Sequence, residues 1–114
     1  MTGDERLGRS RRIGRGTDIQ RVLRRGRRSK RTHLDIRWAT SEQGEARLGL
    51  IVPRHGRTAV ARNRLQRRLR ELWRRDVRGH LPPIDVVVRA GPSAYEAPFQ
   101  VLRTDLLGWL ESLP

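Results

Sequence analysis

Residues 58–78 read TAVARNRLQRRLRELWRRDVR, and their periodicity predicts the long helix on which the fold is built. Thr58 suits the N-cap position, and Gly79 with two following prolines stops the pattern. The helix is therefore predicted over residues 59 to about 78. Its apolar side chains share one side of a helical wheel, which we assign to the core: Ala61, Leu65, Leu69, Leu72 and Trp73.

The opposite side of this helix is a row of polar and basic side chains. It carries Asn63, Arg67, Arg70, Arg74 and Arg78 at spacings of four, three, four and four. Only Glu71 and Asp76 are available to pair with ten arginines between residues 54 and 78, so like charges crowd one another. Such crowding favours a polyanion-binding surface, and the alternative is an ordinary solvated face in an arginine-rich protein.

The net charge indicates the same kind of partner. The chain has 26 Lys plus Arg against 12 Asp plus Glu, a formal charge of +14. Residues 1–31 contribute +9 and residues 54–78 contribute +8, whereas the two remaining stretches are slightly acidic. An excess of this size repels itself unless a polyanion neutralises it, and its concentration in two blocks predicts a dedicated binding face.

The composition also argues against other classes of protein. There is no cysteine for a disulfide or a thiolate metal site, and no apolar run approaches the roughly 20 residues that cross a bilayer. We therefore expect a cytoplasmic protein without a membrane partner or a small-molecule substrate. His33, His55 and His80 lie in separate segments and the carboxylates are dispersed, so we expect no catalytic residue and no metal site in the chain itself.

The N-terminal third is predicted to contain an arm and a first helix. Residues 1–16 are polar, basic and glycine-bearing, which favours a flexible basic arm ahead of a single domain at residues 17–114. Thr17 opens a capping box that predicts a helix over residues 18–25. Gly26 suits the left-handed position that follows the end of a helix.

Three strands and a last helix complete the predicted elements. Leu34, Ile36 and Trp38 alternate with less apolar residues, as in a half-buried strand, and residues 48–52 predict a second strand that pairs with the first in an antiparallel hairpin. Residues 84–88 form a β-branched third strand. The last helix carries an apolar stripe of Phe99, Leu102, Leu106, Trp109, Leu110 and Leu113. This order predicts an α+β layer with helices packed on a small sheet.

Four segments resemble bacterial ribonuclease P proteins, in that family's order. Residues 59–71, AVARNRLQRRLRE, resemble its RNR motif, read as A-V-x-R-N-R-x-x-R-R-L-R-E. Residues 18–26, DIQRVLRRG, resemble its D-F-x-x-V-F-x-x-G pattern. Residues 47–52, RLGLIV, resemble its R-L-G-L-x-V strand, and residues 85–88, DVVV, its later strand. The likeness extends over most of the chain, from about residue 12 to residue 113.

The resemblance implies a single α+β domain with the element order αβββαβα. It implies a mixed four-stranded sheet with helices packed on it and a left-handed βαβ crossover, as in ribosomal S5 domain 2-like folds. General handedness rules do not predict such a crossover. The fourth strand could come from splitting the segment between residues 27 and 40.

The resemblance also implies a function. The family's RNA subunit removes the 5′ leader of precursor tRNA with Mg²⁺ held mainly by the RNA, and one protein subunit assists each RNA. By match to the motif, the expected RNA contacts are Arg62, Asn63, Arg64, Arg67, Arg68 and Arg70. Arg74 on the same row, Arg12 in the N-terminal block, and Arg54 and Arg57 in the loop before the helix complete the predicted RNA-binding set.

A leader-binding cleft is expected between the first helix and the sheet. Ile19, Leu23 and Arg37 occupy positions where the family often has aromatic residues that line this cleft. Base stacking on aromatic rings is therefore absent at these positions, and we hypothesise that the guanidinium plane of Arg37 stacks on a base instead.

Two other functions are compatible with the charge. A ribosomal or other structural RNA-binding protein would share the small α+β build, and the RNR-like stretch discriminates against it. A DNA-binding regulator is disfavoured because a strand, and no compact helix-turn-helix, precedes the arginine row.

Overall fold

The fold is described by a computed structural model that covers residues 12–13 and 16–113. The strands are β1 Arg27–Lys30, β2 Leu34–Thr40, β3 Arg47–Ile51 and β4 Ile84–Ala90. The helices are α1 Gly16–Arg25, α2 Ala59–Leu72 and α3 Phe99–Ser112, with a short 3-10 turn at Pro92–Tyr95 before α3. The predicted order αβββαβα is confirmed, and the fourth strand does come from the segment between residues 27 and 40.

The four strands form one mixed sheet in the order β1-β2-β4-β3. The hairpin predicted between the strand of Leu34, Ile36 and Trp38 and the strand of residues 48–52 is wrong, because these strands are β2 and β3 and β4 lies between them, antiparallel to β2 and parallel to β3. The reason is burial: residues 84–88 are all buried, as suits an interior strand covered on both faces. The parallel pairing of β3 and β4 requires a crossover, which α2 supplies. The handedness of this crossover stays a prediction.

The larger core lies between one face of the sheet and the helices α2 and α3. Leu65, Leu69 and Leu72 of α2 are at most 3% exposed, which confirms the predicted buried side of the helix. On α3, Leu102, Leu106 and Trp109 are buried in the same cluster. The ring centroids of Trp38 in β2 and Trp109 in α3 lie 5.6 Å apart in an edge-to-face arrangement. This contact packs α3 against the sheet.

A second, smaller core holds α1 on the opposite face of the sheet. Its buried members are Ile13, Val22 and Val87. The backbone N–H of Ile13 donates to the carbonyl of Leu48 at 3.0 Å, and Arg12 pairs with Leu48 in an isolated parallel bridge. Arg12 and Ile13 therefore belong to the folded domain, although the predicted arm included them. Gly16, the last residue of the predicted arm, belongs to α1, and residues 1–11, 14–15 and 114 lie outside the described residues.

The ends of α1 differ from their prediction. The helix begins at Gly16, so Thr17 lies inside the first turn instead of preceding the helix. Gly26 does not adopt the left-handed conformation; positive φ angles among the described glycines occur at Gly44 and Gly56. Glycine is required at residue 26 by close packing, because a Cβ there would lie 2.4 Å from the carbonyl oxygen of Val22.

The main helix begins as predicted and ends in an altered form. The Thr58 hydroxyl accepts a hydrogen bond from the Ala61 N–H at 3.1 Å, which confirms the N-cap. After Leu72 the chain continues through a π-helical turn at Trp73–Val77 and a 3-10 turn at Arg78–His80. Both Trp73 and Val77 are buried, so the widened turn keeps the apolar side facing the core. None of the described helices is both long and apolar enough to traverse a bilayer.

Candidate nucleic-acid interface

The outer face of α2 presents a row of unpaired guanidinium groups. Its exposed members are Asn63, Arg64, Arg67 and Arg70, and Arg68 beside them is partly exposed. Within the part of the chain that the structure describes, none of these four arginines has an ion pair or a side-chain hydrogen bond. We call Asn63, Arg64, Arg67, Arg68 and Arg70 the α2 ridge. It offers fixed cations on a rigid helix, an arrangement suited to the phosphates of a polynucleotide.

Two predicted RNA contacts are occupied by contacts within the protein. The Nε of Arg62 donates to the carbonyl of Val52 at 2.7 Å and so fixes the first turn of α2 to the end of β3. Arg74 donates to Glu71 at 2.7 Å, one helical turn away. Both side chains are half-buried. The structure therefore separates Arg62 and Arg74 from the α2 ridge, a distinction that spacing alone does not reveal.

The loop before α2 holds the two remaining predicted cations of this region. Arg54 is exposed. Arg57 lies over the Tyr95 ring, 5.4 Å from its centroid, and pairs with exposed Glu96 at 2.6 Å. The Tyr95 hydroxyl donates to the carbonyl of Pro53 at 2.6 Å, which ties this loop to the 3-10 turn. The positive φ angle of 51° at His55 marks the bend that directs the chain into α2.

A cleft of about 320 Å³ lies between α1 and the open part of the sheet. Leu23 and Arg37, two of the three residues expected in a leader cleft, line it, whereas the third, Ile19, packs against the small core of Ile13 and Val22. The Nη1 of Arg37 donates to the carbonyl of Leu23 at 2.8 Å. That carbonyl belongs to the last turn of α1, where no intrahelical donor is available. Arg37 therefore joins β2 to the end of α1 and forms part of the cleft floor.

Other cleft residues were not predicted from the sequence. Arg28 donates two hydrogen bonds to Asp35, at 3.0 and 2.9 Å, and these bonds raise the pKa of the Arg28 guanidinium. Val87 and Arg89 of β4 also line the cleft. Arg89 is the one exposed residue of β4. A cation that interrupts an otherwise apolar strand could have identified Arg89 as a candidate site residue from the sequence.

The sequence also gave no indication of a buried ion cluster beneath α1. Asp85 is fully buried and accepts two hydrogen bonds from Arg47, both at 2.8 Å, and one from Arg21 at 2.7 Å. Arg47 lies 3.7 Å from Asp18 in the first turn of α1. The hydrogen bonds to Asp85 raise the pKa of Arg47. We call Asp18, Arg21, Arg47 and Asp85 the α1 ion cluster, because it ties that helix to β3 and β4.

The described residues do not fit a metal ion held by the protein alone. Residues 12–13 and 16–113 contain no group of three His, Asp or Glu side chains that could hold one. Glu71 is the carboxylate next to the α2 ridge, and it pairs with Arg74.

Comparison with known sequences identifies a family for nearly the whole chain. The sequence profile of ribonuclease P proteins matches residues 7–113. A ribonuclease P protein component from Syntrophobacter fumaroxidans is 38% identical over 95 residues, which cover 82% of this chain and 80% of that protein. One from Beutenbergia cavernae is 38% identical over 103 residues, covering 90% and 87%. One from Thermus scotoductus is 40% identical over 85 residues, and the chain spans only 49% of its length.

Solved structures of ribonuclease P proteins share the fold. The Staphylococcus aureus protein superposes with a TM-score of 0.80 at 24% sequence identity, over 89% of this chain and 93% of that one. The Thermotoga maritima protein superposes with a TM-score of 0.79 at 26% identity, over 90% and 97%. Both superpositions therefore span about nine tenths of this chain.

Proposed function

The chain belongs to the ribonuclease P protein family, and we propose that its α2 ridge binds the catalytic RNA subunit while its cleft binds the 5′ leader of precursor tRNA. Its role is that of the protein subunit of a ribonucleoprotein enzyme that processes tRNA. The RNA subunit performs the cleavage, and the chain assists it by binding both RNA molecules. The family match disfavours the alternative function, that of a ribosomal or other structural RNA-binding protein.

The observation that carries this proposal is the α2 ridge. Four of its arginines have no carboxylate partner within the described residues, although Arg74 and Arg57 nearby do. Unpaired guanidinium groups along a helix lose self-repulsion when phosphates approach, which favours association. The apolar side of the same helix is anchored in the core, so the ridge is held rigid before binding. Arg12 and Arg54, both exposed, extend this positive surface in the proposal.

The cleft supports binding of a single-stranded leader. Its lining combines two apolar side chains with three guanidinium groups: Leu23, Val87, Arg28, Arg37 and Arg89. The one carboxylate of the lining, Asp35, pairs with Arg28 and Arg37. Apolar and guanidinium surfaces can both pack against unstacked bases, and the cations attract the phosphates between them. We propose that Arg37 takes the stacking role here while it also supports α1.

Metal, stoichiometry and location complete the proposal. The family implies RNA catalysis that depends on a metal ion, and we propose Mg²⁺ bound mainly by the RNA partner, since the described residues offer no such site. We propose one chain per RNA, because α2 presents a single ridge. The matched relatives are bacterial proteins, which supports action in the cytoplasm where precursor tRNA is made.

Reconstitution with a bacterial ribonuclease P RNA tests the proposed function directly. We expect the purified chain to stimulate cleavage of precursor tRNA at low Mg²⁺ at least tenfold, because bound guanidinium groups replace cations that the RNA otherwise needs. The chain without RNA should leave the precursor intact. Cleavage rates in the presence of RNA alone, chain alone and both together provide the measurement. An unchanged rate with both components would contradict the proposal.

Replacing Arg37 tests the cleft. We expect Arg37→Ala to reduce affinity for precursor tRNA by about tenfold. The reason is the loss of one base-stacking contact, which contributes roughly 1–3 kcal/mol. Affinity for mature tRNA, which lacks the leader, should be unchanged. Arg37→Lys keeps the positive charge and removes the planar guanidinium group. If stacking on that plane binds the leader, Arg37→Lys should lose as much affinity for precursor tRNA as Arg37→Ala. Equal precursor affinity for wild type and Arg37→Ala in filter binding would refute this role.

A further inference from the structure

A second cavity, of about 620 Å³, shares no lining residue with the α2 ridge. It lies where α1 ends, β1 begins and the last turn of α3 meets the sheet. Trp38, Ile84 and Leu110 form its apolar part, and Arg25, Arg27 and His80 lie around it. We call it the α3-end cavity. Its volume falls within the range of about 300–1000 Å³ that is usual for ligand sites.

The positive charge around this cavity favours an anionic ligand. None of its lining residues is a carboxylate, and Arg25 and Arg27 are exposed without an ion pair among the described residues. Arg28, one residue further along the chain, is by contrast paired twice with Asp35. Two unpaired guanidinium groups beside an apolar floor suit a ligand with a flat apolar part and an attached negative charge.

Trp38 supplies a surface for an aromatic ring. Trp109 packs edge-to-face on it and is itself fully buried, so the indole of Trp38 is held in place from the core side. Trp38 remains partly exposed and lines the α3-end cavity. A supported, partly exposed indole beside arginines is the arrangement on which unpaired nucleobases stack.

The neighbouring surface favours a polynucleotide over an isolated small anion. A groove runs along α1 and shares Arg25 with the α3-end cavity. Its other lining residues include Thr17, Gln20, Arg21 and Arg24. An RNA backbone that follows α1 would therefore pass Gln20 and Arg24 before it reaches the cavity, whereas Arg21 is paired with Asp85. We infer that the α3-end cavity binds an unpaired nucleotide of RNA, with its base on Trp38 and its phosphate on Arg25 and Arg27.

This inference rests on the proposed RNA-binding function, and a mononucleotide tests it separately from the α2 ridge. The probe is adenosine 5′-monophosphate, followed through the indole N–H signals of the three tryptophans by NMR. Trp73 and Trp109 are at most 1% exposed, so the Trp38 signal should move most. Trp38→Phe assigns that signal. Arg25→Ala/Arg27→Ala should raise the dissociation constant of the nucleotide at least tenfold.

The matched control is Lys30→Ala/Arg103→Ala, which removes the same charge outside both the α2 ridge and the α3-end cavity and should leave nucleotide affinity unchanged. Adenosine and inorganic phosphate, titrated separately, should each bind at least tenfold more weakly than the nucleotide. The inference is overturned if the Trp38 signal does not move, if Arg25→Ala/Arg27→Ala binds normally, or if phosphate alone binds as well as the nucleotide. Reconstituted cleavage that fails while the nucleotide still binds would instead contradict the proposed function.

Discussion

Replacing Arg64 and Arg67 by alanine is expected to weaken binding of the catalytic RNA about 100-fold at 0.15 M salt. Both side chains are exposed on the α2 ridge and have no partner in the described protein, so their removal leaves the fold intact. Each charge-assisted contact with phosphate contributes roughly 1.5 kcal/mol, and two such contacts correspond to about two powers of ten. The measurement is a salt-dependent titration of the RNA, in which the slope of log affinity against log salt should fall by about two.

A matched control separates specific contacts from general charge. Lys30→Ala/Arg103→Ala removes the same two charges from β1 and α3, where Arg103 pairs with Asp76 at 3.3 Å. This control should lower RNA affinity by less than about threefold, because screening limits the effect of distant charges. Arg62 is left unchanged in the test because its Nε supports Val52. Equal losses in the two double variants would show that the ridge acts only through net charge.

Local patterns predicted the elements well because each depends on residues close in sequence. The buried side of α2, the Thr58 cap and the apolar stripe of α3 follow from periodicity and capping alone. The strand order did not follow, since adjacency in sequence favoured a hairpin while the complete burial of β4 placed it between β2 and β3. Burial on two faces is a tertiary property, and a short apolar run only hints at it.

The candidate site was predicted in part for a related reason. Exposure of Asn63, Arg67 and Arg70 follows from the helical wheel, whereas Arg64 was predicted only by match to the family motif. Arg62, Arg74 and Arg57 each contact another group of the protein, for example the carbonyl of Val52 in the case of Arg62. A helical wheel shows which side of the helix a residue occupies and does not show these contacts. The α1 ion cluster was missed because Arg47 and Asp85, although both lie in family-like strand motifs, meet only when β3 and β4 pair in parallel.

Asp85→Asn is expected to lower the free energy of unfolding by about 3–5 kcal/mol, because it removes the carboxylate that accepts two hydrogen bonds from the buried guanidinium of Arg47 and leaves only Asp18, 3.7 Å away, as a counter-charge. The side chain of Arg47 is only 10% exposed and that of Asp85 is fully buried, so water cannot replace the lost partner. A domain of this size has a total stability of about 5–15 kcal/mol, so the loss is a large fraction of it. Urea denaturation, followed by tryptophan fluorescence, provides the measurement.

The double variant Arg47→Leu/Asp85→Leu distinguishes a missing counter-charge from a general intolerance of change at this position. Removing both charges leaves no unpaired ion in the interior, and an apolar pair of this kind is commonly neutral or stabilising relative to the ion pair. Most of the stability lost in Asp85→Asn should therefore return, while Arg21, whose side chain is 31% exposed, reaches solvent. Without the α1 ion cluster, α1 would be held by its small apolar core and by the hydrogen bond from Arg37 to the Leu23 carbonyl, so affinity for precursor tRNA should be lower than in the wild type although the fold recovers. A double variant as unstable as Asp85→Asn would show that packing, and not charge pairing, makes this cluster necessary.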